Sequence, residues 1–376
     1  MKKNSKKNNV NLGVTLIMMG IGGLCGAVMT LVLGDVFEGL GFVLGLALEL
    51  LILIIAYFIQ IVLHEAGHLV AGLMSGYGFG SFRIGGIMIH KENGRLKISK
   101  HAVAGTGGQC IMKMPPMTDG RYPVIFYNLG GVLMNLVTVP ICVLLAVVSK
   151  NLSVLYVFFV MMALTGLITA LTNGIPLKMG MLNNDGSNVK ELYNNPEAMR
   201  SLWCQFKVVE ELGEGRKLSD MPDEWFFMPS AEGMNNSIAA SAAVFLENRL
   251  MADGKFKEAA ELCDKLLAMD SALIGLHKNL LLTDRITVGL LLSENASQMA
   301  ALYESTEYQL FAKQMKTNIS VIRASYAYAR LVKSDDKLSA EALANFNKCA
   351  PTHPYSVEVE SERALIKMID ECAANK

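Results

Sequence analysis

Residues 64–68 read His-Glu-Ala-Gly-His, and their types and spacing are those of a metal site. Residues four apart lie on one face of an α-helix, so His64 and His68 can offer two imidazoles to one zinc ion. Glu65, beside them, is then a candidate general base for a metal-activated water. The setting is unusual for such a motif. Between Glu49 and Arg83 the only formally charged side chain is Glu65, so the motif stands in a helix apolar enough to cross a bilayer. Ionisable groups in such a segment are costly and by default functional. A catalytic zinc needs a third protein ligand, so the rest of the chain must deliver one.

The elements around the motif suggest how. Lys2, Lys3, Lys6 and Lys7 precede an uncharged run reaching Gly34, which reads as an uncleaved first span. Its Gly20, Gly22, Gly23 and Gly26 suit close helix packing. The motif helix is the second span. Residues 76–122 then carry Arg83, Lys91, Arg95, Lys97, Lys100, Lys113 and Arg121, which places this loop and the N-terminus in the cytoplasm by the positive-inside rule. With Glu49 at the outer interface, His64 falls roughly 9 Å inside the cytoplasmic edge at 1.5 Å per residue. In the loop, Phe82–His90 and Arg95–Ser99 flank Glu92-Asn93-Gly94, the signal for a tight hairpin. Its edge strand offers either an ordinary cover or a strand-addition surface for an extended peptide.

Tyr122–Val148 and Leu155–Leu171 read as the third and fourth spans, the third containing Gly131 and Asn135. Asn135, an amide in an apolar segment, wants hydrogen-bond partners and is a candidate to hold a substrate carbonyl or a neighbouring helix. Four spans return the chain to the cytoplasmic face, where Asp185 can join His64 and His68. A carboxylate there would complete a site of three ligands and one water.

The composition agrees with a membrane protein: 52% hydrophobic and 18% charged, with mean hydropathy +0.35. Zero net charge argues against nucleic acid as a partner. The seven cysteines are scattered, odd in number and without a Cys-x-x-Cys pair. That favours free thiols over disulfides or cysteine-held zinc.

With these pieces assembled, residues 40–190 resemble the site-2 protease family of intramembrane zinc metalloproteases. The motif at 64–68, Gly131 with Asn135, Asn173-Gly-Ile-Pro176 and Asp185-Gly186 carry the resemblance. It implies Asp185 as the third zinc ligand and cleavage of membrane-spanning substrates near the cytoplasmic face. Two departures stand out: Asn173 and Asp185 are twelve residues apart, more than the family's usual spacing, and a Gly-Gly pair replaces Gly-Pro at 130–131. Should Asp185 not ligate, His90, Glu92 or His101 is the fallback ligand, each weighed against a surface role on the hairpin.

From about Ser187 the composition becomes that of a soluble helical domain. Asn188–Leu212 reads as one amphipathic helix, and 218–229 as a linker with Trp225 and Phe226 packed. Leu246–Leu266, with its turn at Gly254, resembles a tetratricopeptide unit, and 326–354 a weaker second one. Such pairs provide either a groove for a protein partner or a stabilising cap.

The expectation is therefore a mainly α protein. Residues 1–190 form a polytopic helical membrane domain of about four spans with a small cytoplasmic β-hairpin. Residues 191–230 form an amphipathic helix and linker, and 231–376 a soluble all-α helical-repeat-like domain. The expected activity is that of a zinc endopeptidase, multi-pass in a bacterial plasma membrane, with its N-terminus and C-terminal domain cytoplasmic. Glu65 and Asn135 would serve catalysis, with one zinc on His64, His68 and Asp185. The alternative is a non-catalytic membrane scaffold that keeps a zinc fold and recruits partners through its C-terminal half. A metal transporter is disfavoured, because the spans carry few further ionisable residues.

Overall fold

The computed structural model describes residues 19–20, 22–23, 26–27, 36–92, 94–101, 106–118, 120–176, 178–179 and 182–375. Most of the expected first span lies outside the described residues. The protein is mostly helical, with a small antiparallel sheet. Among the described residues, three helices are long and apolar enough to cross a membrane: α1 (Phe42–Met74), α2 (Val124–Val148) and α3 (Ser153–Gly174). Runs of Leu, Ile, Val and Ala without charge leave the backbone to satisfy its own polar groups, and only a helix does that within one segment. At 33 residues, α1 is about 50 Å long, against a hydrocarbon thickness of about 30 Å.

Two compact units interleave along the chain. The first comprises residues up to His68, then Leu129–Leu177 and Asn184–Ser187. Its core joins Ile52 and Ala56 of α1, Cys142 of α2, and Val157, Met161 and Met162 of α3. The outer faces of these helices leave Leu50, Ile54, Phe58, Val137, Leu144 and Val148 exposed. An apolar exterior of this extent suits lipid rather than water.

The second unit comprises Leu69–Asn128, Lys178–Asn183 and Asn188–Lys376. Its sheet contains β1 (Gly78–Ile84), β2 (Ile87–Glu92), β3 (Arg95–Lys100) and β4 (Gly108–Lys113), in the order β3-β2-β1-β4. The Asn-Gly hairpin is present: Glu92 pairs with Arg95, and Gly94 takes the φ of +77° that such a turn demands. The sheet is larger than one hairpin because Gly85-Gly86 makes a second two-residue turn. Ile84 pairs with Ile87 and Gly85 has φ +57°, so the stretch 82–90 is two strands rather than one flank. A further short ladder, β5 (Lys178–Met179) with β6 (Leu182–Asn183), precedes Asp185.

The stretch expected as one helix over 188–212 is two, α4 (Asp185–Leu192) and α5 (Pro196–Gly213). Pro196 has no N–H to continue α4. It suits a first helical turn, where Asn195 caps by accepting from the Ala198 N–H at 3.0 Å. The remaining helices are α6 (Ser237–Ala252), α7 (Phe256–Ala268), α8 (Gly275–Leu291), α9 (Ala296–Glu304), α10 (Thr306–Gln314), α11 (Ile319–Tyr328), α12 (Asp336–Cys349) and α13 (Ser356–Ala374). Asn236, Asn295, Ser305, Asn318 and Asp335 cap α6 and α9–α12 with side-chain oxygens, which fixes where those helices begin. The helix pair α6–α7 turns at Gly254, φ +72°. Ile286, Leu290, Tyr308, Phe311, Ile322, Phe346 and Ile369 form the main core of α8–α13.

Charged groups are buried beside that core, Arg323 deepest among them. Arg323 of α11, 2% exposed, forks to both carboxylate oxygens of Glu362 at 3.0 Å and pairs with Asp284. Thr287 also accepts from its Nε at 3.3 Å. Nearby on α6, Glu247 is fully buried, with neither carboxylate oxygen hydrogen-bonded.

Candidate metal centre

His64 and His68 lie in α1 and are buried, and α2 approaches them at glycines. A Cβ at Gly67 would collide with the Gly130 carbonyl and sit 2.6 Å from the Met134 Cβ. A Cβ at Gly131 would lie 2.6 Å from the Nε2 atoms of both His64 and His68. Small residues at this crossing are what let the two apolar helices meet around polar groups.

Asp185 reaches the histidines from the first turn of α4. Asn184 caps α4, its Oδ1 accepting from the Ser187 N–H at 2.9 Å. Its Nδ2 donates to the carbonyls of Thr172 and Ile175 at 2.7 and 2.6 Å, tying the start of α4 to the end of α3. Gly186 presses against the Gly174 carbonyl, where a Cβ would not fit. Between Asn173 and Asp185 stands the β5–β6 ladder, in which Lys178 pairs with Asn183 and Met179 with Leu182.

The three ligand atoms converge. His64 Nε2 lies 3.0 Å from Asp185 Oδ2, His68 Nε2 lies 3.4 Å from the same oxygen, and the two Nε2 atoms are 3.3 Å apart. A tetrahedral ion with bonds of about 2.0–2.1 Å needs ligand separations of about 3.3–3.4 Å. Asp185 Oδ2 is buried and accepts no hydrogen bond. Burial pushes the Asp185 carboxyl up, but the facing imidazoles hold it down to about 2, so it is a carboxylate at neutral pH. An anionic oxygen aimed at two imidazole nitrogens is a donor set that fits a divalent cation.

Glu65 is buried on the same turn of α1, 7% exposed. Asn135, expected to hold a substrate carbonyl or a neighbouring helix, makes its contacts with α1. It is fully buried, and His64 Nδ1–H donates to its Oδ1 at 2.6 Å. Its Nδ2 donates to the Gln60 Oε1 at 2.7 Å and to the Gln60 carbonyl at 3.2 Å. With both amide hydrogens committed, Asn135 has none left for an oxyanion; it orients His64 from behind. Asn173 donates to the Thr169 carbonyl one turn back in its own helix, at 3.0 Å.

The fallback ligands belong to the second unit. The His90 ring lies 6.4 Å from Tyr355, and the His101 ring 6.0 Å from His353. The Glu92 side chain is outside the described residues. Among the described residues, His64, His68 and Asp185 are the one group of three or more that could hold a metal ion.

Gln60 and Asn184 escaped the sequence reading. A signal for Gln60 existed: it is an amide in an uncharged run, four residues before His64 and therefore on the same helix face. Asn184 carried only the weak mark of a helix cap. Compared with protein-family models, curated proteins and solved structures, the chain matches none.

Proposed function

We propose that the protein is an intramembrane zinc endopeptidase that hydrolyses peptide bonds of membrane-spanning or membrane-associated proteins near the cytoplasmic face. The observation that carries this reading is the triangle of His64 Nε2, His68 Nε2 and Asp185 Oδ2, with sides of 3.0–3.4 Å. It stands among helices long and apolar enough to cross a bilayer, with Glu65 on the same turn. The resemblance to the site-2 protease family in residues 40–190 points the same way.

A zinc ion held by these three residues would polarise a substrate carbonyl and lower the pKa of a bound water to about 7. Glu65 is the base that takes the proton of the attacking water and passes it to the leaving amine. A scaffold that only holds a metal needs no buried carboxylate beside its ligands, so Glu65 favours catalysis over the scaffold. The apolar helices shape the substrate class. Peptide groups of a membrane helix are already hydrogen-bonded within it, so a substrate must unwind locally to expose a carbonyl. The protein is read as multi-pass, with the sheet and C-terminal helices in the cytoplasm, where the helical pairs provide a surface for a protein partner.

The test is zinc per chain, by elemental analysis of detergent-purified protein. About one zinc in the wild type and little in Asp185→Ala is the expected result. Glu65→Gln should keep its zinc and lose cleavage of a membrane substrate. A zinc-free, well-folded wild type, or continued cleavage by Glu65→Gln, would sink the proposal.

A further inference from the structure

We infer that Gln60 is a positioning residue for the metal centre, the fixed end of an amide relay that sets which nitrogen of His64 faces the ion. The inference rests on the metal site proposed above. Its starting point is a group with no choice of role. The backbone carbonyl of Met162 in α3 can only accept, and Gln60 Nε2 donates to it at 2.8 Å. That contact fixes the Gln60 amide with Oε1 turned towards α2, where it accepts from Asn135 Nδ2 at 2.7 Å. A second donation from Asn135 Nδ2, to the Gln60 carbonyl at 3.2 Å, uses the other amide hydrogen. Asn135 is therefore left presenting Oδ1 to His64 Nδ1 at 2.6 Å.

An amide oxygen opposite Nδ1 requires the proton on Nδ1, and the lone pair then lies on Nε2, the atom 3.0 Å from Asp185 Oδ2. The direction of every hydrogen bond thus follows from two backbone carbonyls, that of Met162, 102 residues away in sequence from Gln60, and the more distant one of Gln60 itself. Thr138 Oγ1, 3.4 Å from Gln60 Oε1, flanks the same junction. Gly166 completes the arrangement from α3. A Cβ there would lie 2.8 Å from Gln60 Nε2, so only glycine leaves the Gln60 amide its place against Met162. Gln60 is itself fully buried, which keeps water from substituting for any partner.

Without the Gln60 amide, Asn135 keeps only its longer contact to the residue-60 carbonyl and can turn over to present its NH2 to His64, which favours the lone pair on Nδ1 and leaves Nε2 protonated towards the ion. Metal ligands held by such partners typically lose about 10–100-fold in affinity when the partner is removed. The test compares wild type, Gln60→Met and Gly166→Ala, each full-length in detergent. Zinc affinity is read by competition with a chromophoric chelator, and the ligand field by the visible spectrum of the cobalt(II)-substituted protein. Gln60→Met keeps the volume and removes the amide; Gly166→Ala dislodges the same amide from a different helix. The expected result is about 10–100-fold weaker zinc binding and an altered cobalt spectrum in both variants, with the double variant no worse than either single. Zinc affinity within twofold of wild type and an unchanged cobalt spectrum in the folded variants would overturn the relay while leaving the zinc site standing. If Gln60→Met does not fold, Gly166→Ala decides by the same two readouts. A wild type that binds neither metal would overturn the relay together with the zinc reading.

Discussion

Two polar clusters buried among the described residues, around Arg323 and around His64, differ in whether the charge is closed. Around Arg323 the cation is part of the chain: its guanidinium meets the Glu362 and Asp284 carboxylates inside a helical core. Around His64 it is not. Two imidazole nitrogens and a carboxylate oxygen face one another at 3.0–3.4 Å, and among the described residues the ion pairs of Asp185 are with these histidines. Desolvating charges without a partner is expensive, so a cluster with its own counter-charge is a structural element, whereas one that gathers electron-pair donors could hold an ion from outside. The supports differ in kind too. Arg323 is held by side chains that bear charge, while His64 is held by neutral amides, Asn135 and Gln60, which orient without neutralising.

The comparison can be broken most severely at Arg323. Arg323→Met leaves Asp284 and Glu362 buried without their partner and should destabilise the protein by about 3–5 kcal/mol, read as a lowered midpoint in denaturant. A loss under about 1 kcal/mol would mean that water reaches the cluster and that it is not closed. At the other cluster the sharpest cut is Gly131→Ala. Its methyl would lie 2.6 Å from both ligand nitrogens, so zinc affinity should fall at least about tenfold, or about 1.4 kcal/mol, with helix content retained by circular dichroism. Unchanged zinc binding would show that α2 can move aside.

A smaller effect tests the one carboxylate that the Arg323 cluster leaves out. Burial pushes the Glu247 carboxyl well above its ordinary range, and the Asp284 charge adds to this, against weaker opposing effects of Cys263 and Arg323. A carboxyl whose folded pKa is raised favours folding below its unfolded value near 4.5, and that contribution is lost as pH rises towards the folded pKa. Glu247→Gln should therefore flatten the decline in stability above pH ~4.5, a slope of at most about 1.4 kcal/mol per pH unit for one proton. Melting temperatures of the two proteins at pH 5 and pH 8 measure it. An equal decline in both would place the titrating group elsewhere.

Much of the candidate site was legible because its signals are local. His64 and His68 share a helix face by the period of the helix alone, and the charge-free runs at 50–63 and 123–149 could form little else in lipid. The Asn93-Gly94 turn was equally plain, while the Gly85-Gly86 turn divides the expected 82–90 flank into two strands, and β4 pairs with β1 across a longer loop that carries no such signal. The single helix expected over 188–212 failed at Pro196 because helical periodicity outweighed the missing N–H. The first of four expected spans falls mostly outside the described residues, so the three described helices bear on the other three.

The sequence by itself determined what each segment must become. Charge-free runs have to close their own backbone hydrogen bonds, Asn-Gly has to turn, and imidazoles four apart have to share a face. Only the tertiary structure decided which polar atoms meet. That Asn135 meets His64, that Gln60 rests on Met162 from 102 residues away, and that Asp185 closes the triangle all depend on where three helices cross. Those crossings are set by where glycines allow contact, as at Gly67, Gly131 and Gly166, and a contact between distant residues leaves no periodicity in the chain.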